Sequence, residues 1–319
     1  MENKRIIYLG TPEISAHCLE GLIQNGFDIV GVVTKEDKIR GRNNAVEPSP
    51  VAKTAMKYHI PLHKPHRLNK DFDFIKELQP DLLLTFAYGQ LISDEVLSLS
   101  KYRPLNLHAS LLPKYRGAAP IQYALRNGDT ETGVSLMQMV HEMDAGDVFA
   151  VKKLTILPSD NYTSLASRLS DTALELATEA LPLFFENRLE GISQDASKAT
   201  FCPSIKKEEE ILDLSLSPEA FVNQVRSLSE TPGGYLFHGK EILKIYQASV
   251  YSDKTEREIG SLSRPSKKEL VLQLSKGQVR IEELQRPGKK KMKAIDFLNG
   301  VKNVDSIVLK EGVSDVQER

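Results

Sequence analysis

Hydrophobic positions in the first half of the chain alternate between short apolar runs and stretches with helical spacing. Ile14, Cys18 and Leu22 recur near every 3.6 residues, which predicts a helix, and residues 51–58 and 73–78 also have helical character. The apolar runs typical of strands are residues 5–9, 29–33, 82–86, 105–108 and 134–139. Strands that alternate with helices predict an α/β fold with a doubly wound parallel sheet.

The pattern changes after a helical stretch at residues 162–187. Residues 188–210 are polar, and Ser217 followed by Pro218 is typical of a helix start with a serine cap. Three later runs alternate apolar and polar residues between short turns, namely residues 242–246, 269–274 and 278–284. Several short strands with one late helix at 294–298 predict a small β-barrel, and an OB-like barrel fits this pattern.

The length of 319 residues favours two domains, since a single core rarely extends beyond about 250–300 residues. We expect the α/β domain at residues 1–188, a linker at 189–206, the barrel domain at 207–312 and a tail at 313–319. The formal net charge of −1 does not indicate a nucleic-acid partner, and the small excess of Lys and Arg in residues 206–319 is too weak to do so alone.

Cysteine usage and apolar content exclude several protein classes. Cys18 and Cys202 are too few and too far apart for a disulfide framework or a metal site. The sequence has neither a signal-peptide pattern nor an apolar run of about 18 residues, so we expect a cytoplasmic protein without a membrane segment. His59, His63 and His66 lie close together, but prolines separate them and no acid or cysteine beside them completes a metal site.

Asn106 and His108 form the densest chemical signal. They are two residues apart on a predicted strand, so both side chains project to the same face, at the strand's carboxyl end. Ligands in doubly wound sheets bind beyond these ends. An amide can donate to a developing oxyanion, and an imidazole can carry the proton of an attacking amine, so the pair suits acyl-type transfer. The alternative is a structural polar pair that caps the strand.

Asp144 and Asp147 flank Gly146 in a second polar stretch, which follows the predicted strand at residues 134–139. A carboxylate there could orient His108 and hold its protonated form. Asp and Gly are also ordinary turn residues, so a simple β-turn is the alternative.

Other common motifs are absent from the sequence. Gly10-Thr11-Pro12 after the first strand lacks the glycine pattern of a dinucleotide site, and no Walker-type phosphate loop occurs. Ser110 lacks the flanking glycines of a hydrolase nucleophile.

Taken together, the motifs resemble those of the methionyl-tRNA formyltransferase family across nearly the whole chain. The central stretches are NLHASLLP at 106–113, RGAAPIQ at 116–122, ETGV at 131–134, MQM at 137–139 and DAGD at 144–147. Flanking stretches include GTP at 10–12, GR at 41–42, PSPV at 48–51, AYG at 87–89, KKEE at 206–209, DLSLS at 213–217 and GKK at 288–290.

This resemblance implies a Rossmann-like formyltransferase domain followed by a C-terminal β-barrel. It implies 10-formyltetrahydrofolate as the formyl donor, and as acceptor the α-amino group of methionine on initiator tRNA. By the same resemblance Asn106 would stabilise the oxyanion, His108 would handle the proton, and Asp144 would position the imidazole and an ordered water. No metal is implied, and we expect a monomer.

The resemblance also implies binding residues. The folate donor would contact Ser110, Leu111, Leu112, Pro113, Phe86, Tyr88, Gly89 and Met139. The tRNA would contact Arg42, Lys206, Lys207, Lys289 and Lys290. For the lysines, the alternative is a set of solvated surface charges.

Several other activities stay open on the sequence alone. Formyl transfer to glycinamide ribonucleotide would not need the C-terminal barrel. Enzymes that formylate amino-sugar nucleotides or hydrolyse formyl-folate can carry a similar trailing domain. A tRNA- or nucleotide-binding protein without catalysis is a further alternative, disfavoured because all three candidate catalytic side chains are present.

Overall fold

Two compact units make up the part of the chain that the computed structural model describes, residues 4–40 and 45–313. The first unit takes in the described residues within 1–120, 131–155 and 166–203, and the second those within 121–130, 156–165 and 204–319.

The strands of the first unit are β1 (Ile6–Gly10), β2 (Ile29–Val33), β3 (Lys38–Arg40), β4 (Ala45–Glu47), β5 (Leu62–His63), β6 (Leu82–Phe86), β7 (Leu105–His108), β8 (Arg116–Gly117), β9 (Glu131–Gln138), β10 (Val148–Thr155) and β11 (Phe201–Cys202). The α-helices up to the end of this region are α1 (Glu13–Gln24), α2 (Pro50–Lys57), α3 (Asp73–Leu78), α4 (Asp94–Leu97), α5 (Pro120–Arg126) and α6 (Tyr162–Phe185).

Seven of these strands form one sheet in the order β10-β9-β7-β6-β1-β2-β5. The pairs among β5, β2, β1, β6 and β7 are parallel, as the alternation of strand and helix signals predicted. The chain runs outwards from β1 to β5 and then returns to β6 on the other side of β1. The strand order therefore reverses between β1 and β6, which is where doubly wound sheets open a ligand crevice.

The edge of the sheet differs from the expected all-parallel arrangement. β9, predicted as a further strand of that sheet, runs antiparallel to β7, and β10 runs antiparallel to β9. Only residues 139–147 connect β9 to β10, and a parallel crossover needs about a dozen residues or more. The stretch between β2 and α2 also contains the short antiparallel pair of β3 and β4, which the sequence pattern did not predict.

Apolar packing holds the sheet in place. Leu105 and Leu107 are at most 1% exposed, so β7 is anchored by the residues that alternate with Asn106 and His108. On a face of the sheet, a core cluster includes the fully buried side chains of Ile7, Leu9 and Leu83. This anchoring fixes the polar residues of β7 to a rigid scaffold.

The second unit contains an antiparallel sheet of six strands. Its elements are α7 (Pro218–Leu228), β12 (Gly234–His238), β13 (Glu241–Ser252), β14 (Leu262–Ser266), β15 (Glu269–Leu274), β16 (Gly277–Gln285), β17 (Met292–Lys293) and α8 (Ala294–Gly300). The main path runs β12-β13-β16-β15-β14, and β17 pairs with β16. Ser217 caps α7 as predicted, because its hydroxyl accepts a hydrogen bond from the amide of Ala220 at 3.3 Å.

A segment near residue 308 lies beside both outer strands of that path. Phe237 of β12 and Lys310 exchange two backbone hydrogen bonds, at 2.8 and 2.9 Å. Gly260, just before β14, is similarly bonded to Leu309 at 2.8 Å. Among the described residues, no helix has the length and apolar character to cross a membrane.

Candidate active site

Asn106 lies on β7 between the parallel strand β6 and the antiparallel strand β9, opposite Thr85 and Met137. Its side chain is partly exposed, and no residue in the described part of the chain hydrogen-bonds its amide. The amide donor is therefore available to a bound molecule. Thr85 neighbours Asn106, and its buried hydroxyl has no partner within the described residues.

His108 is held at one ring nitrogen by the main chain. It is 5% exposed, and its Nε2 lies 2.7 Å from the carbonyl oxygen of Tyr115. A carbonyl only accepts, so Nε2 carries a proton and donates it. In the neutral ring the lone pair is then on Nδ1.

Asp144 lies on the Nδ1 side of that imidazole. Its Oδ2 is 3.6 Å from Nδ1 of His108 and accepts a hydrogen bond of 2.8 Å from the amide of Gly117. A separation of 3.6 Å is too long for a direct hydrogen bond but suits attraction between a carboxylate and a protonated imidazole. The structure thus brings Asp144 to His108, and Asn106 lies two residues before His108 on the same strand.

Backbone conformations near this trio are unusual. Tyr115 and Asp144 have φ angles of 60° and 52°, in the left-handed region that non-glycine residues seldom occupy. Such residues cost about 1–3 kcal/mol each and tend to occur at functional sites. Gly117 has φ 126°, and a Cβ there would lie 2.7 Å from the carbonyl oxygen of Cys202. The loops around His108 are therefore held, at Tyr115 and Asp144, in left-handed backbone conformations that these residue types rarely adopt without surrounding contacts.

Cys202 of β11 contacts the same carbonyl as His108. Its thiol donates to the Tyr115 oxygen at 3.1 Å. Burial raises the pKa of this thiol to about 11, and the negative charge of Asp144 adds to the rise. The sulfur therefore stays protonated near neutral pH and acts as a donor rather than as a nucleophile.

The expected donor-binding residues of the 110–113 turn follow directly on His108. Ser110 is fully buried, and its hydroxyl donates to the Lys114 carbonyl at 2.6 Å, so it stabilises the turn. Leu111, Leu112 and Pro113 are partly exposed and leave apolar surface accessible.

The other expected donor-binding residues lie in two loops. Tyr88 is 1% exposed and packs in the core cluster, where burial raises the pKa of its hydroxyl. Its carbonyl accepts a 2.9 Å hydrogen bond from Thr11, at the reversal of strand order. Phe86 is buried at the end of β6, Gly89 is exposed with φ 78°, and Met139 is partly exposed.

The expected tRNA-binding lysines are exposed. Lys206 and Lys207 lie at the start of a short 3-10 helix, and Lys289 and Lys290 lie in the turn after β16. None of the four forms an ion pair with a residue that the structure describes, whereas Lys291 pairs with two carboxylates. Arg42, the fifth expected contact, lies outside the described residues.

Comparison with known proteins assigns the chain to a family. Residues 4–181 match the family model described as formyl transferase, and residues 204–302 match the formyl transferase C-terminal domain. The methionyl-tRNA formyltransferase of Lactobacillus johnsonii is 40% identical over 297 residues, covering 92% of this chain and 95% of its own. The chain belongs to the methionyl-tRNA formyltransferase family.

Solved structures agree with this family at the level of the fold. The methionyl-tRNA formyltransferase from Clostridium thermocellum has a TM-score of 0.55 at 16% identity, over 77% of this chain and 93% of that one. HypX from Aquifex aeolicus in complex with tetrahydrofolic acid has a TM-score of 0.63 at 18% identity, over 100% of this chain and 50% of that one. Within the described residues, no cluster of His, Cys, Asp or Glu could hold a metal ion.

Several residues that contact the candidate active site were given no role in it by the sequence analysis. Arg116 is 4% exposed and hydrogen-bonds Gln194, a residue from the polar stretch expected to be a linker. Cys202, which donates to the Tyr115 carbonyl, and Thr85, which pairs with Asn106, also lie at this site and were not predicted to do so. Their contacts span up to 87 positions in sequence, so no local pattern could have indicated them.

Proposed function

We propose that the chain transfers the formyl group of 10-formyltetrahydrofolate to the α-amino group of methionyl-initiator tRNA, with Asn106, His108 and Asp144 as its catalytic residues. The observation that carries this proposal is that Nδ1 of His108, at the end of β7, faces the Asp144 carboxylate, which the Gly117 amide holds in place. Asn106 lies two residues earlier on β7, and its amide has no hydrogen-bond partner among the described residues. These are the groups that transfer of an acyl carbon to an amine requires.

Asn106 donates to the formyl oxygen as it becomes an oxyanion. The amine nitrogen bonds to the formyl carbon and gives a tetrahedral intermediate. The side-chain amide of Asn106 can donate a hydrogen bond to the oxyanion of this intermediate, because it donates to no other described residue. Losing such a donor costs about 100- to 1,000-fold in turnover.

His108 moves the proton. Because Nε2 already donates to Tyr115, Nδ1 takes the proton that the attacking amine must lose. The nearby Asp144 carboxylate, 3.6 Å from Nδ1, stabilises the resulting imidazolium by direct charge attraction. The same proton then passes to N10 of the folate as the bond between carbon and N10 breaks. All atoms balance without a covalent enzyme intermediate.

Folate binds at the 110–113 turn, with the ends of β6 and β9 completing its pocket. Leu111, Leu112, Pro113 and Met139 supply apolar surface, while the backbone from Phe86 to Gly89 supplies polar contacts. Ser110 and Tyr88 act through the turn and the main chain, since both side chains are buried.

Binding of tRNA rests on phosphate contacts. Lys206, Lys207, Lys289 and Lys290 are exposed and unpaired with described residues, so they offer charge to phosphates, and Arg42 is proposed as a further contact by the family resemblance. In this proposal residues 1–188, together with part of the connecting stretch 189–206, form the domain with the catalytic site, and 207–312 bind tRNA. The enzyme acts as a cytoplasmic monomer.

The C-terminal domain is an OB-like barrel in this proposal. The backbone bonds of Leu309 to Gly260 and of Lys310 to Phe237 would close the circle between β14 and β12.

The test compares acceptors under one set of conditions. The chain receives 10-formyltetrahydrofolate with methionyl-initiator tRNA, with an amino-sugar nucleotide, or with water alone. We expect formyl transfer to the tRNA at least about 100-fold faster than either other reaction, the discrimination that a site built for polar recognition can reach. Preferred transfer to the sugar, or hydrolysis at the tRNA rate, would contradict the proposed acceptor.

A further inference from the structure

Gln194 lies in the stretch that the sequence marked as a linker, yet its amide uses its full hydrogen-bonding capacity beside the candidate active site. Its Oε1 accepts from Nε and Nη2 of Arg116 at 3.1 and 3.0 Å. Its Nε2 donates to the carbonyl oxygens of Asp144 and Gly146, each at 2.8 Å. Two acceptor positions and two donor positions are all that a glutamine side chain has.

The Arg116 guanidinium is a buried anchor for this amide. Its side chain is 5% exposed, and its third contact, 3.4 Å to Glu142, is with a carboxylate that is 75% exposed. A buried charge needs hydrogen-bond partners, and Gln194 accepts the two shorter hydrogen bonds of this guanidinium. Gln194 is therefore held from one side by a group that cannot easily move.

The contacts close a ring around Asp144. Arg116 is bonded covalently to Gly117, whose amide donates to the Asp144 carboxylate at 2.8 Å. The side chain of Arg116 reaches the main chain of Asp144 through Gln194. The carboxylate and the backbone of Asp144 are thus both tied to Arg116, which is also next to Tyr115, the residue that accepts from His108.

We propose that Gln194 is a positioning residue for the Asp144 carboxylate. It holds Asp144 in its left-handed conformation, φ 52°, and so sets the separation between the carboxylate and Nδ1 of His108. The inference rests on the proposed role of Asp144. A residue that only stabilised the loop would lower the melting temperature without acting through that carboxylate.

The experiment is a double-mutant cycle on single-turnover formylation of methionyl-tRNA, with Gln194→Met and Asp144→Asn made singly and together. We expect Gln194→Met to lower the rate by about 10- to 100-fold, the usual effect of removing an orienting partner, with little change in folate affinity. In the Asp144→Asn background the same change should cost less than about 3-fold, because the charge it positions is gone.

Two further variants keep the test decisive. Gln194→Glu retains the oxygen that accepts from Arg116 but loses both N–H donors to the loop, so its rate should fall as that of Gln194→Met does. This variant keeps the test valid if Gln194→Met folds poorly. Ser193→Ala removes the hydrogen bond of 2.8 Å from the neighbouring residue to Asp147 of the same loop, and should leave the rate unchanged.

Full rate in Gln194→Glu, or costs that multiply in the double variant, would overturn the positioning role. If Asp144→Asn itself keeps the wild-type rate, the proposed mechanism fails instead. If Asp144→Asn is slow while both Gln194 variants are fast, only the inference about Gln194 fails.

Discussion

Replacing Asp144 by Asn removes one negative charge beside His108 and leaves the shape of the site intact. The asparagine oxygen can still accept from Gly117, so the loop keeps that anchor. The carboxylate lies 3.6 Å from Nδ1 of His108, and the two side chains are only 15% and 6% exposed. Two unit charges at that separation attract by about 1 kcal/mol in water and about 5 kcal/mol at an effective dielectric constant of 20.

That attraction is present only while the imidazole carries the extra proton. Its loss therefore raises the barrier of formyl transfer and leaves substrate binding nearly unchanged. At about 1.4 kcal/mol per factor of ten, an attraction of about 1 to 5 kcal/mol corresponds to a fall in the single-turnover rate of about 5- to 4,000-fold. The rate is measured by rapid quench with saturating folate and methionyl-tRNA, and folate affinity is measured separately.

Asp147→Asn is the matched control for this prediction. It removes the same charge three residues away in the same loop, where the carboxylate accepts from Ser193. We expect less than about a 3-fold change in this control, since the Asp147 carboxylate contacts Ser193 and not His108. Equal losses in the two variants, or no loss in Asp144→Asn, would refute the reasoning about His108.

Three other outcomes are expected. Asn106→Ala should slow single-turnover transfer about 100- to 1,000-fold with folate binding near normal, and an unchanged rate would exclude its oxyanion role. Replacing Lys289 and Lys290 by Glu should weaken tRNA binding and make it less dependent on salt, because two phosphate contacts are lost. The same replacement of the exposed Lys267 and Lys268 should leave both properties unchanged. Equal effects of the two replacements would contradict a specific tRNA contact at Lys289 and Lys290. Burial raises the pKa of Cys18 to about 12 and of Cys202 to about 11, so at pH 8 alkylation of the native chain should be far slower than after unfolding, and fast native labelling would contradict the burial.

The first strands and the proposed catalytic pair could be predicted from the sequence because they depend on local rules. A two-residue spacing on an extended strand places Asn106 and His108 on the same face whatever the rest of the fold does. Alternating strand and helix signals predicted the parallel sheet for the same reason. Strand direction at the edge was not accessible, since β9 has the same local pattern whether it runs parallel or antiparallel.

The surroundings of the pair depend on contacts between distant residues. Asp144 reaches Gly117 across 27 positions, and Gln194 reaches Asp144 across 50. Gln194 lies in a polar stretch, where a glutamine in contact with solvent and one in contact with the protein have the same local pattern. The sequence therefore predicted only a linker at residues 189–206. The lysines stay a prediction, because exposure is compatible with both tRNA binding and simple solvation.

The most direct measurement follows an isotope-labelled formyl carbon from 10-formyltetrahydrofolate during one turnover. Methionyl-initiator tRNA is mixed with the unaltered chain, with the His108→Ala variant or with the Asn106→Ala variant. The aminoacyl group is then released from the tRNA, and its mass is measured by mass spectrometry. We expect the label on the α-amino nitrogen with the unaltered chain and almost none in the same time with either variant. Equal labelling by all three, or label found only as free formate, would contradict formyl transfer at this site.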